Sequence, residues 1–315
     1  MRIRRNKTQA EPRSSEIRIF DVAEFSKYDG PGIRVVVFFQ ECPVRCDWCH
    51  SPHSQSYQSP LLYNENLCSG CRRCESACPH QAHSFPQGKH KINRNLCTQC
   101  GACIESCPAS TKGVKGSALH LPTQTLFVND LFEQIEPYLA FTKEKGGITL
   151  SGGEALMQPE ATAELLSLCK EKGVHTAVET SGLLPLERYR KILPLVDLWL
   201  FGMRVIVGKN EIRHDQQIEQ VLKLLKSGNA RILPRIPMIP GFFDREDVWN
   251  SIGKLLLQYD IKEIALNPWN RNYTHYYQES GLPLRMAPPT EEEIKSCENK
   301  MNLFTNHYKL QIYEN

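Results

Sequence analysis

Apolar and polar positions along this chain follow two different regimes. Short apolar runs at 33–39, 147–150, 174–179, 196–201, 230–237 and 262–267 read as strands. Amphipathic stretches at 159–172, 186–192, 215–227, 245–259 and 290–302 read as helices that alternate with them. Phe127, Leu131, Ile135 and Leu139 recur at four-residue steps and predict one more helix, which Pro137 is expected to kink or interrupt. An apolar segment at 17–22 reads as a first edge strand, and residues 1–15 as a disordered tail. Strand–helix alternation with short connections predicts a parallel α/β domain. The pattern by itself does not separate an incomplete barrel from a doubly wound sheet.

Between about Tyr57 and Ser110 the periodicity fades and cysteine takes over. Two near-repeats stand 29 residues apart, Cys68-x2-Cys71-x2-Cys74-x3-Cys78-Pro79 and Cys97-x2-Cys100-x2-Cys103-x3-Cys107-Pro108. Each is a complete bacterial-ferredoxin run, in which the fourth cysteine ligates the other cluster. That rule assigns Cys68, Cys71, Cys74 and Cys107 to one [4Fe–4S] cluster and Cys97, Cys100, Cys103 and Cys78 to a second. Residues 57–110 are thus expected to form a two-cluster insertion in the first strand–helix crossover of a main domain made of 16–56 and 111–315. The stretch 110–125, rich in Ser, Thr, Gly and Lys, reads as hinge-like.

A chain of 315 residues has room for one barrel-sized domain with an insert. The formal charge of +3 is too mild to suggest nucleic acid. Eleven ligated thiolates set against three clusters of about 2+ would bring it to about −2. Thirteen cysteines is an odd number in tight C-x-x-C spacing, which favours metal in a reducing compartment over disulfides. No apolar run approaches the ~20 residues needed to span a bilayer, and no hydrophobic segment follows the basic N-terminus. A cytoplasmic, oxygen-sensitive protein with no nucleic-acid or membrane partner is expected.

Directly after the strand at 33–39 come Cys42, Cys46 and Cys49 in a C-x3-C-x2-C array. Three thiolates on one tight loop can hold three irons of a cubane cluster and leave the fourth iron open. An open coordination position marks a catalytic metal rather than a structural one. The competing reading is a zinc site with His50 or His53 as fourth ligand. Gly152-Gly153-Glu154 lies at a strand's C-terminal end, where two glycines let backbone approach a ligand and Glu154 can accept from an ammonium.

The cysteine array with Trp48 before its last member resembles the signature of the radical S-adenosylmethionine superfamily. From Tyr28 the string YDGPGIRVVVFFQECPVRCDWCHSPHSQ resembles the opening of the glycyl-radical-enzyme activating enzymes. This resemblance implies an incomplete (β/α)6 barrel, a partial TIM barrel, with S-adenosylmethionine as cosubstrate. It implies reductive cleavage to a 5′-deoxyadenosyl radical that takes a hydrogen from a glycine of a partner glycyl radical enzyme. It places Trp48, Gly152, Gly153, Glu154, Glu179, Thr180, Arg204, Arg235 and Asn270 at the cosubstrate, and Asp29 toward the partner's glycine loop. Glu179 stands where the family usually has Asp, Gly202 and Arg204 where it has Asp-x-Lys, and Asn270 where it commonly has His. The insertion implies electron relay from a flavodoxin or ferredoxin donor. Two other readings are a radical enzyme acting on a small molecule and a non-catalytic polyferredoxin-like carrier.

Overall fold

The computed structural model describes residues 14–111, 116–205 and 215–312. Residues 1–13 of the leading tail and 112–115 of the hinge-like stretch lie outside them. Ser14 and Ser15, read with the tail, are held in place: Ser15 N–H donates to Glu164 Oε2 (2.9 Å) and its carbonyl accepts from Val128 N–H (2.9 Å).

The main body is a mixed α/β structure built on a nine-stranded sheet. From one edge the strands are Gln311–Ile312, Glu263–Asn267, Ile232–Pro237, Leu198–Gly202, Thr176–Thr180, Gly146–Gly152, Ile33–Phe39, Glu16–Ser26 and Gln124–Phe127. Every pairing from Gln311–Ile312 to Ile33–Phe39 is parallel; the last two strands are antiparallel. All six predicted strands occur, with ends shifted by two residues or fewer. Ile33–Phe39 is central because Val35, Val36 and Val37 are fully buried, so both faces are covered.

Alternation along the strands sorts the core in two. Val178, Trp199, Phe201 and Ile236 join the helices in one large cluster. Ala177, Leu198, Leu200, Leu233 and Ala265 form a separate cluster on the face away from them. The Asp29–Gly32 turn lies on this second face: a Cβ on Gly30 would sit 3.4 Å from Leu200 Cδ1. Buried Arg34 fastens it there, donating to Thr149 Oγ1 (2.7 Å) and to the carbonyls of Pro31 (3.1 Å) and Gly146 (2.8 Å).

Two expectations need correction. The 17–22 segment belongs to an eleven-residue strand, Glu16–Ser26, and is not the edge. Gln124–Phe127, which spans the end of the hinge-like stretch and the first residue of the predicted helical face, pairs along it from Glu16↔Phe127 to Ile19↔Gln124 and takes that place. Pro137 does not interrupt Val128–Thr142, which runs as one helix. The ring removes a bond only to the carbonyl of Glu133, and both residues are exposed, so water solvates that oxygen.

The cysteine-rich segment is built from very short elements. Helices Arg73–Ala77 and Ala102–Ser106 accompany a two-stranded ladder, His83–Ser84 with Lys91–Ile92. A second ladder joins Leu62–Tyr63 to Leu119–His120, so the unit closes beyond residue 110. Ser59 N–H donates to Thr123 Oγ1 (2.8 Å) where the segment departs and returns. Its buried cluster is Leu61, Cys74, Phe85, Cys103, Ile104 and Leu119. Arg94 donates to Glu279 O (2.9 Å) and ties the segment to the main body. Among the described residues no helix is long and apolar enough to cross a membrane.

Candidate active site

The parallel register brings the strand ends together. Phe39 pairs with Gly152, Leu200 with Glu179, and Gly202 with Arg235. Beyond Phe39 the chain turns through Glu41 at φ 81° into the Cys42–Cys49 loop. The loop is held on several sides: Glu41 N–H donates to Ser54 O (2.7 Å), and Tyr273 Oη–H donates to Asp47 O (2.8 Å).

Gly152 and Gly153 allow a close approach of backbone to backbone. A Cβ on Gly152 would lie 2.5 Å from Phe39 N, and one on Gly153 would lie 2.3 Å from Glu41 O. Gly153 N–H donates to Phe39 O (2.8 Å) and Glu154 N–H to Glu41 O (2.9 Å). The glycines therefore cinch the strand end carrying Glu154 to the backbone that launches the cysteine loop, and both also line the cavity beside it.

Cys42, Cys46 and Cys49, all free thiols, share a cavity with Gly152, Gly153, Glu154, Glu179, Thr180, Ser181 and Arg204. Burial pushes the Cys42 thiol up to about 12 and Cys46 to about 11, the latter despite Arg204. Such thiols stay protonated without a metal and match iron, which displaces the proton. Neither His50 nor His53 lines this cavity. His53 is fully buried, its ring 4.9 Å from Phe20 and 4.0 Å from Tyr276, and burial lowers its pKa to about 3.

Glu154 is 1 % exposed. Its Oε2 accepts from the N–H (2.9 Å) and hydroxyl (2.7 Å) of Ser181, while its Oε1 is buried without a hydrogen-bond partner. Burial raises its pKa. A carboxylate oriented by one oxygen and unsatisfied at the other, beside three thiols, fits an ammonium group.

The remaining predicted residues form an alternating chain of charge. Arg204 Nη2 pairs with Glu179 Oε1. Glu179 Oε2 accepts from Ser151 Oγ (2.6 Å) and lies 3.5 Å from Arg235 Nη1, which in turn is 3.8 Å from Asp29 Oδ1. Burial alone would raise the Glu179 pKa; Arg204 and then Arg235 outweigh it and bring it to about 2. Gly202 belongs to the same arrangement, since a Cβ there would come within 3.2 Å of Arg204 Nε. Glu179, Gly202 and Arg204 thus meet at one place in the structure. Asp29 is turned inward, with 18 % of its side chain exposed, and takes a hydrogen bond from Ser26 Oγ (2.6 Å).

Trp48 and Asn270 stand apart from the cavity. Trp48 packs edge-on against Phe242 (4.9 Å) and Phe243 (5.4 Å). Exposed Asn270 turns its side-chain oxygen back to Asn272 N–H (2.9 Å). Four contributors went unread in the sequence. Ser181 and Ser151 orient the two carboxylates; the signal for Ser181 was its place after Thr180 at a strand end. Gln55 lines the cavity, and Arg285 Nη2 donates to its Oε1 (3.0 Å), which turns the amide nitrogen toward Cys49. Arg285 lies in a long connection with no motif around it.

In the cysteine-rich segment the crossed grouping appears in space. Cys68, Cys71, Cys74 and Cys107 border one small cavity, and Cys78, Cys97, Cys100 and Cys103 another. All eight are free thiols, a soft four-sulfur donor set in each place that fits an iron–sulfur cluster.

Comparison with known proteins agrees with this chemistry. Residues 67–111 match the family described as 4Fe-4S dicluster domain, and residues 28–75 the one described as 4Fe-4S single cluster domain. The choline trimethylamine-lyase activating enzyme of Oleidesulfovibrio alaskensis is 34% identical, over 90% of this chain and 94% of the relative. The trans-4-hydroxy-L-proline dehydratase activating enzyme of Clostridioides difficile is 36% identical, over 88% and 93%. The 4-hydroxyphenylacetate decarboxylase activating enzyme of the same species is 33% identical, over 80% and 82%. With the cysteine cavity, the glycine-cinched Glu154 and these relatives together, the chain belongs to the glycyl-radical-enzyme activating enzymes of the radical S-adenosylmethionine superfamily.

Proposed function

We propose that the cavity around Cys42, Cys46 and Cys49 is where this activating enzyme generates its radical, on a sheet that is an open, partial barrel. The observation that carries the assignment is the unpartnered Glu154 Oε1 in the cavity of three free thiols. Cys42, Cys46 and Cys49 would hold three irons of a [4Fe–4S] cluster, and Glu154 the ammonium of S-adenosylmethionine. Bound together there, cluster and cosubstrate supply one-electron cleavage and a 5′-deoxyadenosyl radical that removes hydrogen from a glycine Cα of the partner. Ser181 keeps Glu154 aimed and Gln55 offers its amide to Cys49. Arg204 faces the thiols with its charge largely answered by Glu179, so it shapes the field there more than it offers a free cation. The Asp29–Arg235–Glu179 chain fixes the floor on the sheet face free of helices.

Residues 57–110 act, in this reading, as a ferredoxin-like insertion carrying two further [4Fe–4S] clusters, three in all. They pass electrons from a flavodoxin or ferredoxin to the Cys42–Cys49 site. The relatives' different targets leave the partner to be identified as a glycyl radical enzyme of unspecified reaction. A small-molecule radical enzyme or a non-catalytic carrier is not favoured, since the relatives are named activating enzymes.

The test is anaerobic reconstitution with iron and sulfide, then reduction with S-adenosylmethionine and a neighbouring-gene glycyl radical enzyme. A glycine-centred EPR doublet is expected, together with 5′-deoxyadenosine. Glu154→Gln should keep the cluster and lose most cosubstrate affinity; unchanged affinity would overturn the assignment of Glu154.

A further inference from the structure

The two cysteine runs repeat, but the cavities they border are not chemically alike. The 29-residue offset that superposes the runs also places Leu61 against His90. Leu61 lines the cavity of Cys78, Cys97, Cys100 and Cys103; His90 lines that of Cys68, Cys71, Cys74 and Cys107. At this repeat position one cavity carries an imidazole and its counterpart an aliphatic side chain; His80 and His83 also line the counterpart, but the imidazole that comes within 4 Å of cysteine sulfurs is His90. The His90 ring is fixed in place: it stacks parallel on Phe85 (4.6 Å, 7°) and meets Tyr63 edge-on (4.5 Å, 73°). Buried His83, which lines the other cavity, brings Nδ1 to 2.8 Å from His90 Nε2. His90 Nδ1 stands 3.8 Å from Cys68 Sγ, and Nε2 is 3.6 Å from Cys74 Sγ.

Donor and acceptor roles follow from this geometry. A thiolate bound to iron can only accept. If His83 donates its Nδ1–H to His90 Nε2, a neutral His90 carries its own hydrogen on Nδ1, the nitrogen facing Cys68. An N–H aimed at a cluster sulfur stabilises the more negative, reduced cluster more than the oxidised one.

We infer that His90, oriented by His83, donates to the sulfur of Cys68 and makes the cluster held by Cys68, Cys71, Cys74 and Cys107 the more easily reduced of the auxiliary pair. His90 is a positioning residue here, and the inference rests on the two-cluster reading of the segment. That reading is checked first and separately: the reconstituted unmutated chain should hold about 12 irons, and about 4 would remove it. The proposal itself is tested by potentiometric EPR titration without cosubstrate, each auxiliary signal assigned through Cys71→Ser and Cys100→Ser. His90→Leu should shift the Cys68-side midpoint to lower potential, leave the other in place and narrow their gap. Leu61→His should raise the opposite midpoint. His90→Gln, which keeps an N–H donor, should recover part of the lost shift even if the leucine variant loses iron. Unchanged midpoints in His90→Leu at full iron content, or Gln and Leu behaving alike, would overturn the proposal.

Discussion

The main sheet and the cysteine-rich segment are ordered by different means. The sheet buries one large apolar cluster against its helices, with Ile17, Val35, Leu150, Leu165 and Trp199 at 0 % exposure. Each such residue contributes on the order of 1.5–3 kcal/mol. The segment's apolar cluster has only six buried members, two of them the cysteines Cys74 and Cys103. Its two helices have five residues each, too few to be stable alone. The contrast implies that the main scaffold should stand without metal, whereas the segment should depend on it.

The largest effect that could break this contrast comes from losing the clusters. Chelating iron should bring segment amides such as those of Cys78 and Asn93 to complete exchange within seconds. Strand amides from Ile148 to Leu150 should keep protection worth several kcal/mol. Hydrogen exchange with mass spectrometry reads both, and equal loss in the two regions would erase the distinction. Next is Cys46→Ala, which should remove about 4 of about 12 irons and abolish radical formation, while the melting temperature of the main sheet moves little. Iron analysis with EPR measures it.

Glu179→Gln sharpens the comparison from the side of charge. The Glu179 carboxyl, ordinarily near 4.5, lies at about 2 in the folded chain. A depressed pKa contributes stability in full above about pH 4.5, and that contribution is lost as pH falls toward 2. The shift corresponds to about 3 kcal/mol. In cluster-free protein followed by circular dichroism, the glutamine variant should lose stability at neutral pH and show a flatter decline between pH 4.5 and 2. Glu154→Gln should weaken cosubstrate binding by about tenfold to a hundredfold, the scale of one charged hydrogen bond. Calorimetry on the loaded protein measures it. The smallest effect belongs to Arg94→Ala, which removes the bond to Glu279 O and should loosen the segment from the main body by about 1–2 kcal/mol. Limited proteolysis near Tyr57 should speed up accordingly.

Most of the sheet was legible because parallel strands buried on both faces leave continuous apolar runs, as at Val35–Val37. The Gln124–Phe127 strand was not, because four residues on an exposed edge carry no such run. The cysteine groupings were legible because spacing alone dictates them. The pairing of Arg204 with Glu179 was not: it depends on Gly202 leaving room between two strands, and nothing local in the chain records that distance. The approach of Asp29 to Arg235 was not legible either, since only the fold brings the turn at 29–32 against the strand at 232–237.

The hydrogen bond between Ser59 and Thr123 has a consequence for how such chains diversify. Once the two ends of an excursion are clasped together, its length costs little, about 0.6 kcal/mol for each doubling. A lineage can lengthen, trim or exchange everything between those two residues while the sheet registers no change in its own connectivity. The content of the excursion is thus the trait most open to revision, whereas the two backbone bonds from Gly153 and Glu154 to Phe39 and Glu41 allow no such freedom.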